Sequence, residues 1–142
     1  MDVNLTSAFL VSKAVYPELK RQGGGKIINM GSMTSIFGAG FAPAYASSKG
    51  GVVQLTKSLA IAWAPDNIQV NAILPGWFET ELTQAARREV PDLYSRVVNR
   101  IPTGRWGNTE EIEGTAIWLS SAASDYVTGI AVPVDGGYSS AL

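Results

Sequence analysis

The chain has 142 residues, of which 46% are hydrophobic, and its formal net charge is −1. That length suits one globular domain, and the charge gives no reason to expect nucleic acid or an anionic membrane surface as a partner. The sequence contains no cysteine and no histidine, which excludes disulfides, thiolate nucleophiles and imidazole bases, so any proton transfer must use Tyr, Lys, Asp or Glu.

The first half of the sequence predicts a helix, a strand and a second helix. Residues 4–21 have the spacing of an amphipathic helix, and the glycines at 23–25 end it. Residues 26–30 form a short apolar strand, and residues 43–63, rich in Ala, Ser, Leu and Val, form the second helix. The predicted apolar face of the first helix consists of Leu5, Phe9, Val15 and Leu19.

The second half repeats the alternation of strands and helices. A strand over 68–74 is stopped by Pro75 and Gly76, and a polar helical stretch over 80–99 is broken at Pro91. A helix over about 109–121 follows, with Asn108 or Thr109 as its N-cap, and then a strand over 129–135. Such alternation predicts an α/β fold with a parallel sheet covered on both faces.

We find no repeat and no linker, so residues 1–142 are interpreted as one domain. No apolar run approaches the ~20 residues that a membrane span needs, and no signal peptide is evident. A cytoplasmic protein without a membrane partner is therefore expected.

Tyr45 and Lys49 are four residues apart on the second predicted helix, so they share one of its faces. A phenol has a pKa of ~10 and is a poor base at neutral pH, but a nearby ammonium favours the phenolate by ~1.4 kcal/mol for each pKa unit. A Tyr–Lys pair can therefore replace histidine as an acid and base. The spacing alone is also compatible with an exposed lysine beside a half-buried tyrosine.

Several ordered motifs around this pair resemble the short-chain dehydrogenases/reductases. Ser32 lies thirteen positions before Tyr45, as in that family (45 − 32). The matching segments run the full length of the chain: Asp2–Leu5, Lys26–Ser32, Tyr45–Gly51, Val70–Gly76 with Thr80, and Val134–Gly137. The resemblance implies a Rossmann-like three-layer αβα fold with a parallel sheet, in which residues 1–142 are the C-terminal, catalytic portion.

The resemblance also implies hydride transfer between NAD or NADP and an alcohol or ketone. Tyr45 would exchange the hydroxyl proton, Ser32 would bind the substrate oxygen, and Lys49 would lower the pKa of Tyr45 and bind the nicotinamide ribose. Asn4 would hold a water in a proton relay behind Lys49, which gives the catalytic set Asn4, Ser32, Tyr45 and Lys49. The implied cofactor-binding residues are Tyr45, Lys49, Pro75, Gly76, Phe78 and Thr80, and no metal ion is implied.

The N-terminal βαβ half of the family's domain, with its glycine-rich turn, is not in this sequence. We therefore expect the strand at 26–30 to be an exposed edge of the sheet. We also expect cofactor binding to be weak or absent, because the family holds the pyrophosphate at a helix N-terminus in the missing half. The choice between NAD and NADP stays open for the same reason.

The segment 77–107 is where the family builds its substrate pocket. Its aromatic residues either line that pocket or are plain packing: Trp77, Phe78, Tyr94 and Trp106. Residues 100–107 resemble members that act on sugar acids, such as gluconate and deoxygluconate dehydrogenases. Arg105 would then either pair with a substrate carboxylate or form a structural ion pair.

Two alternatives remain open at this stage. One is a 3-oxoacyl-carrier-protein reductase, because that branch shares the same motifs. The other is a truncated, catalytically silent subunit that acts only in assembly. Helix 43–63 and the tail 138–142 resemble the family's oligomer surfaces, so a homo-oligomer, as a homotetramer, is expected in either case.

Overall fold

A computed structural model describes residues 1–141 of the chain. A π-helical turn over Asp2–Thr6 leads into the first α-helix. The α-helices are α1 Ser7–Arg21, α2 Pro43–Trp63, α3 Glu81–Glu89, α4 Leu93–Val98 and α5 Glu113–Ser120. The strands are β1 Gly25–Met30, β2 Ile68–Pro75 and β3 Ala131–Val134. Short 3₁₀ turns cover Met33–Ser35, Ala64–Asp66, Thr109–Ile112 and Ala122–Ser124.

The three strands form one parallel sheet in the order β1-β2-β3. Helices lie on both sides of this sheet, which confirms the predicted Rossmann-like αβα class. Strand β2 is central and buried along Ile68–Leu74, as expected for a parallel strand covered on both faces. Within residues 1–141, strand β1 pairs with β2 alone, and its last residue, Met30, is 47% exposed. The prediction that β1 is an exposed edge is therefore confirmed.

Helices α1 and α2 pack on one face of the sheet through an apolar cluster. Leu59 and Ala60 of α2 meet Ile68 and Val70 of β2, and Leu19 of α1 packs against them. A buried hydrogen bond 2.9 Å long from Asn29 Nδ2 to Thr56 Oγ1 adds a polar link between β1 and α2. Because a buried amide must find a partner, this bond fixes the position of α2 along β1.

The predicted apolar face of α1 is only half correct. Leu19 joins the cluster just described, and Leu5 packs against Gly51 of α2 so closely that a Cβ there would lie 2.7 Å from Leu5. Phe9 and Val15, however, are 44% and 39% exposed. The helix turns Ser12 inward instead, because a small side chain allows a close approach to its neighbours.

The predicted helix at 109–121 begins with a 3₁₀ turn, and its α-helical part is Glu113–Ser120. The last strand is shorter than the predicted 129–135. Gly129 has φ +79°, and the Ile130 N–H donates to Asn71 Oδ1 rather than to a backbone carbonyl. The strand therefore begins at Ala131. None of the helices within residues 1–141 has the length and apolarity that crossing a bilayer requires.

Candidate active site

The carboxyl ends of β1 and β2 bring the predicted site residues together. The Gly31 N–H donates to the Ile73 carbonyl over 2.8 Å, so Ser32 emerges from β1 beside Pro75 and Gly76 at the end of β2. Ligands bind at this edge of an open parallel sheet. Ser32, Tyr45, Pro75 and Gly76 all line one cavity of about 410 Å³.

Ser32 is held by its neighbours in a way that leaves its own hydrogen uncommitted. Its Oγ accepts a hydrogen bond from the Thr34 N–H at 3.2 Å, and its N–H donates to Ser35 Oγ at 3.1 Å. Ser35 Oγ in turn donates to the Lys49 carbonyl at 2.8 Å, which ties this turn to α2. The Ser32 hydroxyl can therefore donate into the cavity while its oxygen stays fixed.

Tyr45 and Lys49 lie in the first two turns of α2, with Tyr45 42% exposed. The Lys49 Nζ is 5.8 Å from the centroid of the Tyr45 ring and donates to the Met30 carbonyl over 2.8 Å. Partial burial lowers the pKa of the Lys49 ammonium, because desolvation disfavours its charge. Helix α2 thus holds the Lys49 ammonium beside Tyr45, and the hydrogen bond to the Met30 carbonyl at the end of β1 fixes the position of this ammonium.

Asn4 reaches the same helix from the N-terminal segment. Its Nδ2 donates to Ser48 Oγ at 3.0 Å, and Ser48 Oγ donates to the Tyr45 carbonyl at 2.7 Å. Asn4 therefore lies next to the residue that precedes Lys49. Its part in a proton relay stays a prediction.

Besides Tyr45 and Lys49, the four residues predicted to bind the cofactor divide into two pairs. Pro75 and Gly76 line the cavity beside Tyr45. Phe78 lies in a second, smaller cavity of about 200 Å³, and its carbonyl accepts from the Thr83 hydroxyl. The Thr80 hydroxyl caps α3, accepting from the Thr83 N–H at 3.2 Å, a role that threonine often has at a helix N-terminus. The structure therefore brings Phe78 and Thr80 near the site but not into the cavity wall.

The aromatic residues of 77–107 are also divided. Trp77 lines both cavities. Trp106 is 2% exposed and stacks on Trp77 with ring centroids 5.4 Å apart, and Tyr94 packs against it at 5.1 Å. Tyr94 and Trp106 are therefore packing residues outside the wall of the larger cavity, and Trp106 supports Trp77 by stacking on it.

Sequence reasoning missed most of the apolar wall of the larger cavity. These residues come from the loop before α2, from α3 and from the turn after β3: Met33, Phe37, Phe41, Leu82, Ala86 and Tyr138. Phe41 and Leu82 are 88% and 79% exposed although they line it. Their exposed apolar surface, next to hydroxyl groups, is typical of a ligand site, but no periodicity in the sequence marks them.

Arg105 forms a structural ion pair, so the structure selects that alternative over a substrate contact. Its two terminal nitrogens each donate to one oxygen of Glu111 at 2.7 Å. The Asn108 N–H also donates to Glu111 at 2.7 Å. The Arg105 guanidinium and then the Asn108 N–H lower the pKa of the Glu111 carboxyl to about 2. An arginine engaged in this way has no free fork for a substrate carboxylate.

The low pKa of Glu111 predicts an acid-dependent contribution to stability. Because the pKa falls from 4.5 in the unfolded chain to about 2 in the folded one, the stabilisation is fully present above pH 4.5 and is lost between pH 4.5 and 2. We expect Glu111→Gln to unfold more easily than the unsubstituted chain at pH 7, and the difference to vanish near pH 2. Denaturant titrations across this range measure it. Glu110→Gln is the matched control, and an equal effect of both substitutions contradicts the prediction.

Within residues 1–141, no three Asp or Glu side chains converge as metal ligands. The candidate site thus consists of a serine, a tyrosine–lysine pair and backbone at the strand ends. Such a set can polarise an oxygen and exchange a proton.

The chain is similar to a known protein family and to several dehydrogenases and reductases. A family model described as enoyl-(acyl carrier protein) reductase matches residues 1–139. The chain is 45% identical over 139 residues to 2-dehydro-3-deoxy-D-gluconate 5-dehydrogenase of Dickeya dadantii, covering 97% of this chain and 54% of that protein. It is 44% identical over 135 residues to 5-keto-D-gluconate 5-reductase of Escherichia coli, covering 95% and 53%. The chain therefore spans about half the length of the curated relatives it matches.

Solved structures of dehydrogenases superpose closely on this chain. A gluconate 5-dehydrogenase from Burkholderia cenocepacia in complex with NADP and tartrate superposes with a TM-score of 0.95 at 43% identity. That match covers 100% of this chain and 55% of the other. A short-chain type dehydrogenase/reductase from Mycobacterium ulcerans superposes with a TM-score of 0.93 at 31% identity, covering 99% and 50%.

Proposed function

The chain belongs to the short-chain dehydrogenase/reductase family, and on that basis we propose that it transfers a hydride between NAD or NADP and a secondary alcohol or ketone of a sugar acid. The observation that carries the proposal is the shared cavity. Ser32 and Tyr45 line it together with Pro75 and Gly76, and Lys49 lies behind Tyr45. A substrate oxygen there would meet a hydrogen-bond donor and a proton donor at once.

The residues present fit the nicotinamide end of the cofactor. Pro75 and Gly76 line the cavity together with Tyr45, and they would hold the nicotinamide ring beside the proton donor. Gly76 also donates its N–H to the Val134 carbonyl at 2.9 Å, which holds this wall against β3. When bound, the nicotinamide supplies or accepts the hydride. The pyrophosphate cradle of the family is not among the described residues.

The chain's own residues would divide the remaining work. Ser32 donates to the substrate oxygen and stabilises the charge that develops on it. Tyr45 gives the proton to that oxygen or removes it, and the Lys49 ammonium lies beside the Tyr45 ring during this exchange. Asn4, through Ser48, holds the turn of α2 that carries Lys49, consistent with a relay that passes the proton onward.

The names of the relatives support a sugar acid as substrate. Gluconate-type acids or their keto forms occur in the names of the proteins from Dickeya dadantii, Escherichia coli and Burkholderia cenocepacia described above. A 3-oxoacyl thioester is the second candidate, because the cavity wall is largely apolar and the matching family model is described as an acyl-carrier-protein reductase.

Kinetics with two ketones test the proposal and separate the candidates. We expect oxidation of NADH or NADPH, at millimolar cofactor, to be faster with 5-keto-D-gluconate than with an acetoacetyl thioester. A preference for the thioester supports the second candidate. No oxidation with either ketone contradicts hydride transfer by this chain. Thermal unfolding with each cofactor is the companion measurement, because ligand at 100 times its Kd adds ~2.7 kcal/mol of stability.

We further propose that the protein is cytoplasmic and assembles with copies of itself. Exposed apolar residues support assembly: Phe9, Leu10 and Val11 on α1, Ile61 on α2, and Ile117 and Trp118 on α5. The predicted tail 138–142 also belongs to this proposal, although Leu142 lies outside the described residues. Light scattering on the purified chain checks it, and a monomer at micromolar concentration contradicts it.

A further inference from the structure

The cavity that holds Ser32 and Tyr45 has no charged side chain in its wall among residues 1–141. A substrate with a carboxylate would therefore lose hydration there without gaining a counter-charge, which is unfavourable for a buried charge. A cation at the rim would remove this penalty.

Arg100 lies directly on two side chains of the cavity wall. Its guanidinium carbon is 4.4 Å from the ring centroid of Tyr138 and 4.8 Å from that of Phe37. Both rings line the cavity. Aromatic faces hold a guanidinium by cation–π attraction while leaving its N–H groups open at the edge of the plane. Arg100 is thus a pre-positioned donor at the rim.

The other arginines near the cavity are already engaged. Arg105 is paired with both oxygens of Glu111, and Arg87 is paired with Glu79 at 3.4 Å. No carboxylate within residues 1–141 forms a salt bridge with Arg100. The one hydrogen bond that its side chain makes in the described part of the chain is long, 3.5 Å from Nη1 to the Tyr138 hydroxyl. Arg100 therefore keeps its charge and most of its donors available.

Lys49 is also a cation close to the wall, but it lies at the end of the cavity where the reaction takes place. It lies beside Tyr45 and donates to the Met30 carbonyl. A sugar acid that reacts at a hydroxyl several carbons from its carboxylate places that carboxylate away from Tyr45. We infer that Arg100 recognises the carboxylate of the substrate and so selects sugar acids over uncharged polyols. This inference rests on the proposed function for its class of substrate.

Binding measurements on the 142-residue chain test this inference without any hydride transfer. The probes are D-gluconate and D-sorbitol, which differ only in the carboxylate. Binding is followed by calorimetry and by the intrinsic tryptophan fluorescence, to which Trp77 in the cavity wall contributes. We expect gluconate to bind about tenfold more tightly, the gain of a charge-assisted contact. Arg100→Gln removes the preference, and Arg100→Lys keeps part of it, because a lysine is charged but lacks the planar fork.

Arg96→Gln on α4 is the matched control. This substitution also removes one positive charge, but Arg96 is exposed and does not line the cavity. It is expected to keep the preference for gluconate. Equal binding of both probes by the unsubstituted chain, binding of neither, or an unchanged preference in Arg100→Gln overturns the inference. A preference that depends on Arg100 in a chain that reduces no ketone contradicts the proposed function and leaves the inference standing.

Discussion

Replacing Tyr45 by phenylalanine is expected to lower the rate of hydride transfer about 10³-fold, within the range that general acid–base catalysis contributes. The substitution removes the phenolic oxygen and keeps the ring that lines the cavity. The sequence has no histidine or cysteine, and no Asp, Glu or Lys within residues 1–141 lines the cavity, so no imidazole, thiol, carboxyl or ammonium group in the wall can take over the proton. Lys49 is held by the Met30 carbonyl at 2.8 Å and does not replace the hydroxyl. Steady-state oxidation of the reduced cofactor with 5-keto-D-gluconate measures the loss.

Tyr126→Phe is the matched control, because Tyr126 is fully exposed and lines none of the cavities described above. It should keep the rate of the unsubstituted chain. Thermal unfolding of both variants checks that the fold is intact. A rate for Tyr45→Phe within tenfold of that of the unsubstituted chain would contradict the role of Tyr45 as proton donor.

Much of this fold is predictable because its elements carry local signals. Helix α2 begins and ends at the predicted residues 43 and 63, since Pro43 suits the first position of a helix and the apolar pattern continues to Trp63. The break at Pro91 separates α3 from α4 as predicted. Where local chemistry was weaker, the prediction was less accurate. The last strand begins two residues late, because the Asn71 side chain takes the Ile130 N–H.

The proximity of the candidate site residues was predictable for a different reason. Ser32, Tyr45 and Lys49 are recognised by spacing and by the motifs around them, and the cavity brings Ser32 and Tyr45 together. The substrate wall has no such spacing. Phe37 and Tyr138 are about a hundred residues apart in the chain and meet edge to face with centroids 6.1 Å apart. The partner of Arg105 was equally open, because only the folded chain decides between Glu111 and a ligand.

Leu74 connects the core of the sheet to the candidate site. It is 1% exposed and packs with Met33 and Val53 between β2 and α2. A Cβ on Gly31, the residue before Ser32, would collide with it. Leu74 therefore packs against the turn that carries Ser32. It also directly precedes Pro75, which lines the cavity. A well-packed leucine in this position leaves a cavity when it is shortened, since the surrounding elements are held by the sheet.

Leu74→Ala is accordingly expected to lower the free energy of unfolding by about 2–5 kcal/mol, the usual cost of such a truncation in a packed core. That is a large part of the ~5–15 kcal/mol by which domains are stable, so the variant should unfold at much lower denaturant. Leu74→Met nearly conserves the volume and should cost less than ~1.5 kcal/mol. Leu10→Ala, at a position 55% exposed, should change the midpoint little. Urea titrations of the three variants measure these differences, and a loss for Leu74→Ala no larger than that for Leu10→Ala would mean that Leu74 does not support the site.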